Sequence, residues 1–458
     1  MKRIFLIVAL TCAVASTRAQ QPPPQQPPAT PTQPPQPQEI ETTITGEAGA
    51  PPRLAVPEFI AITKDAETVA IAKTISQVLF DDLNFEREFA LIPRDVYSTI
   101  PAATSLTDVP FDRWRELNAD GLVVGTVQKT GTGLKVELRL FNVRTRQSAY
   151  GREYSGSTAN PRLYAHQISD ELHKTQRGLA GIARTKLVFD SDRDGERIGG
   201  TVENRGVKEL YISDYDGENQ RRVTVSRTLN INPAWSPDGR SIAYTSYRRG
   251  GGQIFVSHIF QALLDELTKG DKVGENWLPA WSPDGTRLCF ASTRDGNSEI
   301  YVMNSDGSNV RRLTRSPGID ISPTWSPTGT QIAFVSDRGG DPHIYIMDAD
   351  GTGSPLPLTR EYSDRPTWSP APYNEIAYSA RTGPGNDIKV VDLATRTVRQ
   401  LTFGEGTNES PTWSANGRHL AFMSTRAGKS QIFTIARDGK DVRQLTRTGN
   451  NQQPNWSK

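Results

Sequence analysis

The spacing Asp190-x-Asp192-x-Asp194-Gly195 in "FDSDRDGERIGG" is that of a calcium loop, where alternate carboxylates converge on one hard cation. The twelfth position of such a loop needs a bidentate Glu, yet Thr201 stands there, and the segment aligns with "FVSDRGG" at Phe334, which lacks the triad. The expectation is no metal, with Asp190, Asp192 and Asp194 as the one candidate set. "AGKS", Ala427 to Ser430, resembles the end of a phosphate loop, but Met423 occupies the place of the Gly that loop requires. The His residues are dispersed at His166, His173, His258, His343 and His419, with no Ser or Cys partner at triad spacing and no G-x-S-x-G elbow. His166 and His173 lie seven residues apart on one predicted helix without a completing carboxylate or Cys cluster, and read as a solvated face. Cys289 in "TRLCFAST" takes a strand position filled elsewhere by Ala and reads as a small buried residue. No catalytic residue and no cofactor site is predicted.

The elements that must position any site are set by a repeat. Pro-x-Trp-Ser recurs at Trp235, Trp281, Trp325, Trp368, Trp413 and Trp456, every 43 to 46 residues, the period of a four-stranded propeller blade. After each Trp-Ser turn comes a strand such as "SIAYTS" or "QIAFVS", then a second such as "QIFVSH" or "HIYIMD". In most copies an Asp-Gly turn and a strand ending in Leu-Thr follow. Asp-Gly permits the positive φ of a tight turn, the upstream Pro marks a strand start, and Trp supplies an apolar wedge between twisted sheets. The repeat begins at "KLVFDS", a second strand, and stops at "QPNWSK", a first strand, so the two are expected to pair in one blade and close the ring. Departures fall in "HIFQALLDELTKG", which lacks Asp-Gly, in "SPAP" after Trp368, and around "GERIGGTVENRG".

The loop before each Pro-x-Trp-Ser carries a polar residue: Asn230, Asn276, Asp320, Asp364, Asn408, Glu409 and Asn451. Quasi-symmetry should ring them around one mouth of the central channel, where a protein partner could dock.

Upstream the pattern changes. Lys2 and Arg3, the run "IFLIVAL" and the small residues of "AVA" and "TRA" form the tripartite pattern of a secretory signal peptide over residues 1–19, cleaved after Ala15 or Ala19. Residues 20–38 contain only Gln, Pro, Thr and Ala and read as an extended tether. Residues 39–53 hold a short β-prone segment. Residues 54–181 mix strands ("RLAVPEFIAI", "FALIP"), a helix with Ile71, Ile75, Val78, Leu79 and Leu83 on one face, a three-stranded meander and a closing helix. The fold class is thus two-domain, an N-terminal α/β domain followed by an all-β six-bladed β-propeller over 182–458. Without residues 1–19 the chain has 50 basic and 51 acidic residues, which argues against nucleic acid. No other run approaches the length of a membrane span, so a periplasmic monomer without membrane insertion is expected.

A signal peptide, a small α/β domain and six Trp-Ser-Pro-Asp-Gly repeats with "IAF.S.R", "IY.M..DG" and "LT" together resemble the TolB family, the periplasmic component of Tol-Pal systems, from about Ile40 to Lys458. The resemblance implies a non-enzymatic scaffold that binds a Pal-like peptidoglycan-associated outer-membrane lipoprotein through the propeller. It also implies a contact between the N-terminal segment, with Ile40, Thr42, Thr43 and Ile44, and a TolA-like inner-membrane protein, by strand addition. The implied role is outer-membrane integrity and constriction during cell division. The tether sets that segment some twenty residues from the mature terminus, a departure from any mechanism that uses a free terminus. The other function class consistent with the residues is a periplasmic ligand- or glycan-binding propeller.

Overall fold

The computed structural model describes residues 42–46, 49–197, 206–269 and 274–458. The signal peptide, the tether and Ile40 lie outside the described residues.

The α/β domain is built on one mixed sheet. Its strands are β1 (Arg53–Ala55), β2 (Ile60–Ala61), β3 (Ala90–Leu91), β4 (Gly121–Thr130), β5 (Gly133–Asn142) and β6 (Ser148–Ser157). The order is β3-β1-β4-β5-β6, with β2 also on β4; β1 and β2 run parallel to β4, and β4 to β6 form the expected antiparallel meander. "RLAVPEFIAI" makes two short strands instead of one, because Pro57 cannot donate to the ladder. Phe59 then packs over Gly125, where an added Cβ would lie 2.2 Å from the ring.

Helices α1 (Ala66–Glu86) and α3 (Pro161–Arg177) cover one face of this sheet, with Ile71, Ile75 and Leu79 meeting Ile168 and Leu172 over Val136 and Leu138. Asp65 caps α1 by accepting from the Thr68 N–H at 2.9 Å. α3 opens on Pro161 and ends at Gly178, whose φ of 66° supplies the left-handed cap. The other face is closed by α2 (Phe111–Glu116) with Trp114, and by Ile92 and Ile100.

Six four-stranded antiparallel sheets follow. Blades 1 to 5 begin at Asn230–Trp235, Asn276–Trp281, Asp320–Trp325, Ser363–Trp368 and Asn408–Trp413. Blade 6 joins Asn451–Trp456 to Lys186–Ser191, Glu209–Asp214 and Arg221–Arg222, so the end of the repeat closes the ring as its phase implies. Ser457 N–H donates to Lys186 O at 2.8 Å, and Lys186 N–H donates back to Ser457 Oγ at 2.8 Å.

The motif Trp residues wedge between blades: Trp281 Nε1–H donates to Ala234 O, Trp325 to Ala280 O and Trp413 to Thr367 O, at 3.1–3.2 Å. Pro does not mark the strand start. Each innermost strand begins three residues earlier, and its ladder shifts register just before the Pro. There Asn232, Leu278, Ser322, Arg365, Ser410 and Gln453 adopt φ of 52–59°. The innermost strand faces the channel, so its free edge tolerates both a missing N–H and a bulge. Where "HIFQALLDELTKG" lacks Asp-Gly, a turn over Ile259–Ala262 leads into a fourth strand, Leu263–Glu266, longer than in any other blade.

Candidate functional site

Each innermost strand runs from its Asn, Asp or Ser at one mouth of the channel to its Trp at the other. Of the residues expected to ring the first mouth, Asn230, Asn276, Asp320, Asn408 and Asn451 have no exposed surface. They are clamps between blades. Asn276 Nδ2–H donates to Gln253 Oε1 of the preceding blade at 2.9 Å, while its Oδ1 accepts from Arg294 at 2.9 Å. Asn408 repeats this with Asp387 (3.0 Å) and Arg426 (3.0 Å), and Asn451 with Gln431 (2.8 Å) and Arg193 (2.7 Å). A side chain needed to join two blades must be buried there, so polarity in a loop does not mean access. These five offer a partner nothing to touch.

Asp364 and Glu409 are the two of the set that remain accessible, one residue further along their strands, where the alternation turns side chains toward the channel. With Tyr362, Arg365, Asn386 and Gln452 they line a cavity of about 170 Å³. Asn386 Nδ2–H donates to Glu409 at 2.7 Å, and Asp364 accepts from Ser322 Oγ at 3.2 Å, so both carboxylates are held in place by neighbouring strands.

Asp320 differs from its equivalents in being an acid. Arg338 donates to its Oδ2 at 2.7 Å, but its buried Oδ1 accepts from no donor among the described residues. Thr314 Oγ–H donates to Glu299 at 2.6 Å and the same hydroxyl lies against Asp320, so two buried carboxyls of adjacent blades meet at one hydroxyl whose single proton serves Glu299. Burial pushes the Asp320 carboxyl above its ordinary value, against the hydrogen bonds from Ser336 and Arg338.

The three aspartates of the calcium-like spacing do not converge. Asp190 pairs with Lys208 Nζ at 2.8 Å, Asp192 accepts from Asn450 at 2.6 and 2.8 Å, and Asp194 accepts from Tyr211 and Arg222 at 2.7 and 2.8 Å. The Asp190 carboxyl is raised by burial, with Lys208 opposing. Cys289 is fully buried and its thiol is pushed up by desolvation.

The N-terminal segment is seated on the α/β domain. Thr42 N–H donates to Ala149 O of β6 at 3.0 Å, Ile44 N–H donates to Gln176 Oε1 of α3 at 2.9 Å, and Gln176 Nε2–H donates to Thr42 O at 3.3 Å. Ile44 is buried against Gly121 and its neighbours, while Thr42 and Thr43 are exposed.

His166 and His173 are not solvated; both are buried, at the junction of the two domains. His166 Nδ1 meets Asp82 of α1 at 2.8 Å and its Nε2 lies 3.7 Å from Asp214 of blade 6, while Tyr215 Oη–H donates to Asp82 at 2.7 Å. Burial works against a charged His166, but Asp214 and Asp82 outweigh it and raise the imidazole to about 9. Burial, helped by Asp170 and Asp82, raises Glu86 to about 8, and burial together with the positive charge of Arg418 lowers His173 to about 4 and His419 to about 3. Blade 5 completes the junction: His419 stacks on Phe85 at 4.5 Å, Asn416 donates to Glu86 at 3.1 Å, and Arg418 donates to Glu86 O at 2.8 Å. The sequence signal was an acid, Asp82, on the apolar stripe of α1 beside Val78, Leu79 and Leu83. Since Asn416 lies in a Trp-Ser turn, the α/β domain docks on the Trp side of the ring and leaves the mouth with Asp364 and Glu409 on the opposite side.

The propeller spans residues 181–458 in a match to the model of the TolB β-propeller domain. The chain belongs to the TolB family. The model of the TolB amino-terminal domain matches residues 40–149. A Tol-Pal system protein TolB of Desulfosudis oleivorans is 38% identical over 267 residues, 58% of each chain. That of Alkalilimnicola ehrlichii is 33% identical over 231 residues, 50% of each chain, so the alignments span between half and three-fifths of these relatives' lengths. The crystal structure of TolB from Acinetobacter baumannii is similar at a TM-score of 0.74 and 25% identity, covering 89% of this chain and 97% of that one. Among the described residues, no helix is long and apolar enough to cross a membrane.

Proposed function

We propose that this TolB-family chain is a non-enzymatic periplasmic scaffold of a Tol-Pal system, serving outer-membrane integrity and constriction at division. The propeller binds a Pal-like lipoprotein, and the N-terminal segment binds a TolA-like inner-membrane protein. The observation that carries the first contact is the pair Asp364 and Glu409, held by neighbouring strands at the channel mouth opposite the α/β domain. A rigid scaffold with two oriented carboxylates costs a partner little ordering entropy.

The seated segment supports the second contact. Ile44 is buried while Thr42 to Ile44 hold hydrogen bonds to Ala149 and Gln176, so a partner that adds a strand there must first release it. Calorimetric titration of the mature chain with the soluble domains of Pal-like and TolA-like proteins tests both. Replacing Asp364 and Glu409 together by Ala is expected to weaken the Pal-like partner tenfold or more with an unchanged Tm. Ile44→Asp is expected to strengthen the TolA-like partner by freeing the segment. Equal affinities in the two variants and the parent would refute the respective contact.

A further inference from the structure

The outermost strand of a blade presents an unpaired edge to solvent, and proteins guard such edges with charge, Pro or brevity. Four of the six outer strands here follow that rule with Arg: Arg221–Arg222, Arg311–Arg312, Val398–Gln400 and Arg443–Gln444; Leu356–Pro357 uses Pro and is two residues long. Blade 1 breaks it. Its outer strand, Leu263–Glu266, is four residues long and opens on two exposed leucines, Leu263 at 57% and Leu264 at 43%. Phe260 in the preceding turn is 76% exposed, and Val225, across the junction with blade 6, is also 76% exposed.

The strand's own charges are already used. Asp265 pairs with His258 at 2.8 Å, and Glu266 pairs with Arg249 at 3.0 Å. Between the outer strands of blades 6 and 1 runs a groove of about 550 Å³, lined by Val225, Leu263 and Leu264 together with Arg221 and Arg248. Arg222 beside it is bound to Asp194, Glu196 and Glu209. Arg221 and Arg248 have no carboxylate partner among the described residues, and Arg248 lies over the Phe255 ring at 4.7 Å. The groove therefore combines uncompensated positive charge with apolar surface.

The backbone adds direction. Leu267 N–H donates to Ile254 O at 2.9 Å, and Leu263–Glu266 pairs antiparallel with Gln253–His258. Hydrogen-bonded pairs alternate along such a ladder, so the N–H and C=O of Leu264 and Glu266 point away from the blade, toward any added strand.

We propose that the outer edge of blade 1 and the adjoining groove dock an extended segment of a partner protein whose every second residue, the set that faces the groove, is in turn apolar and acidic. The segment adds a fifth strand to the blade, places the apolar side chains of that face on Leu264 and Val225, and turns its carboxylates to Arg221 and Arg248. The site is separate from the channel mouth and from the N-terminal segment, so its failure would leave both of those contacts untouched.

The test uses the full mature chain and a fluorescein-labelled decapeptide with Val and Glu in turn at every second position and Ser between them, followed by anisotropy. A Lys-for-Glu peptide and a peptide with a central Pro serve as controls. The acidic peptide is expected to bind at least tenfold more tightly than either control. Leu264→Lys and Arg221→Glu, both at exposed positions, are each expected to weaken it tenfold or more at unchanged Tm, and bound peptide is expected to slow hydrogen exchange at the Leu264 and Glu266 amides. Equal binding of the acidic and Lys peptides, binding indifferent to both substitutions, or a self-association of the chain lost in Leu264→Lys that the peptide does not inhibit would each overturn the proposal.

Discussion

Asp320→Asn is expected to stabilise the propeller, in a way that depends on pH. Where the equivalent residue is Asn, its amide joins a Gln, Glu or Asp of the preceding blade at 2.8–3.0 Å, and at Asn276, Asn408 and Asn451 its oxygen accepts from an Arg. Asp320 keeps the Arg contact but has no amide to donate across the blades, and it sets a second buried carboxyl at the Thr314 hydroxyl that already serves Glu299. The substitution supplies a donor to a charged acceptor and removes an unpartnered buried oxygen, together worth about 2 kcal/mol. At about 2.1 cal/mol/K per residue, a propeller of this size melts with an entropy of about 0.6 kcal/mol/K, so the gain is about 3 °C in Tm. The sign with pH follows from the raised Asp320 carboxyl. The native state holds this proton more tightly than the unfolded chain, whose ordinary value is near 3.8, so the group's contribution is complete below that value and is lost as pH rises through the raised one. Asn carries no such loss, and the gap between variant and parent should open from pH 4 to pH 7.5. Scanning calorimetry at the two pH values decides it. A variant that melts no higher than the parent at pH 7.5, or a gap of equal size at both, would refute the account of two carboxyls facing each other between blades.

Two further outcomes follow from the same structure. Trp456, 4% exposed with its Nε1–H on Thr185 Oγ at 2.7 Å, fastens the closing strand, so Trp456→Ala should cost about 3–5 kcal/mol in urea unfolding and a loss under 1 kcal/mol would contradict closure through that strand. His166 is raised to about 9 in the native state, so its stabilisation is full below pH 6.5 and is lost as pH climbs to 9; the advantage of the parent over His166→Gln should shrink by about 3 kcal/mol across that window, and a constant difference would remove His166 from the domain junction.

Much of the architecture was legible because it depends on local periodicity. Six copies of one turn-and-wedge motif specify six blades, and a repeat that starts on a second strand and stops on a first one specifies where the ring closes. The α1 stripe Ile71, Ile75, Val78, Leu79 and Leu83 likewise reports which face meets the sheet. The conformation at Pro233 and its equivalents was not legible, since "Pro at a strand start" and "Pro after a bulge on a free edge" leave the same sequence trace.

What only the tertiary structure decided is which polar residues face solvent. Asn230, Asn276, Asn408 and Asn451 are buried because a neighbouring blade supplies the acceptors that let an amide leave water, and those acceptors are about twenty residues away in the chain. His166 and His173 left the surface for the same reason, their environment being completed by Asp82 and Glu86 on another helix and by Asp214 on blade 6. Asp364 and Glu409 remained open through a shift of one residue along a strand, which turns a side chain from the blade interface to the channel. Periodicity is written residue by residue, so the sequence alone determines the ring; the burial of a polar group depends on partners that only folding brings within 3 Å, so the accessible surface is decided by the tertiary structure.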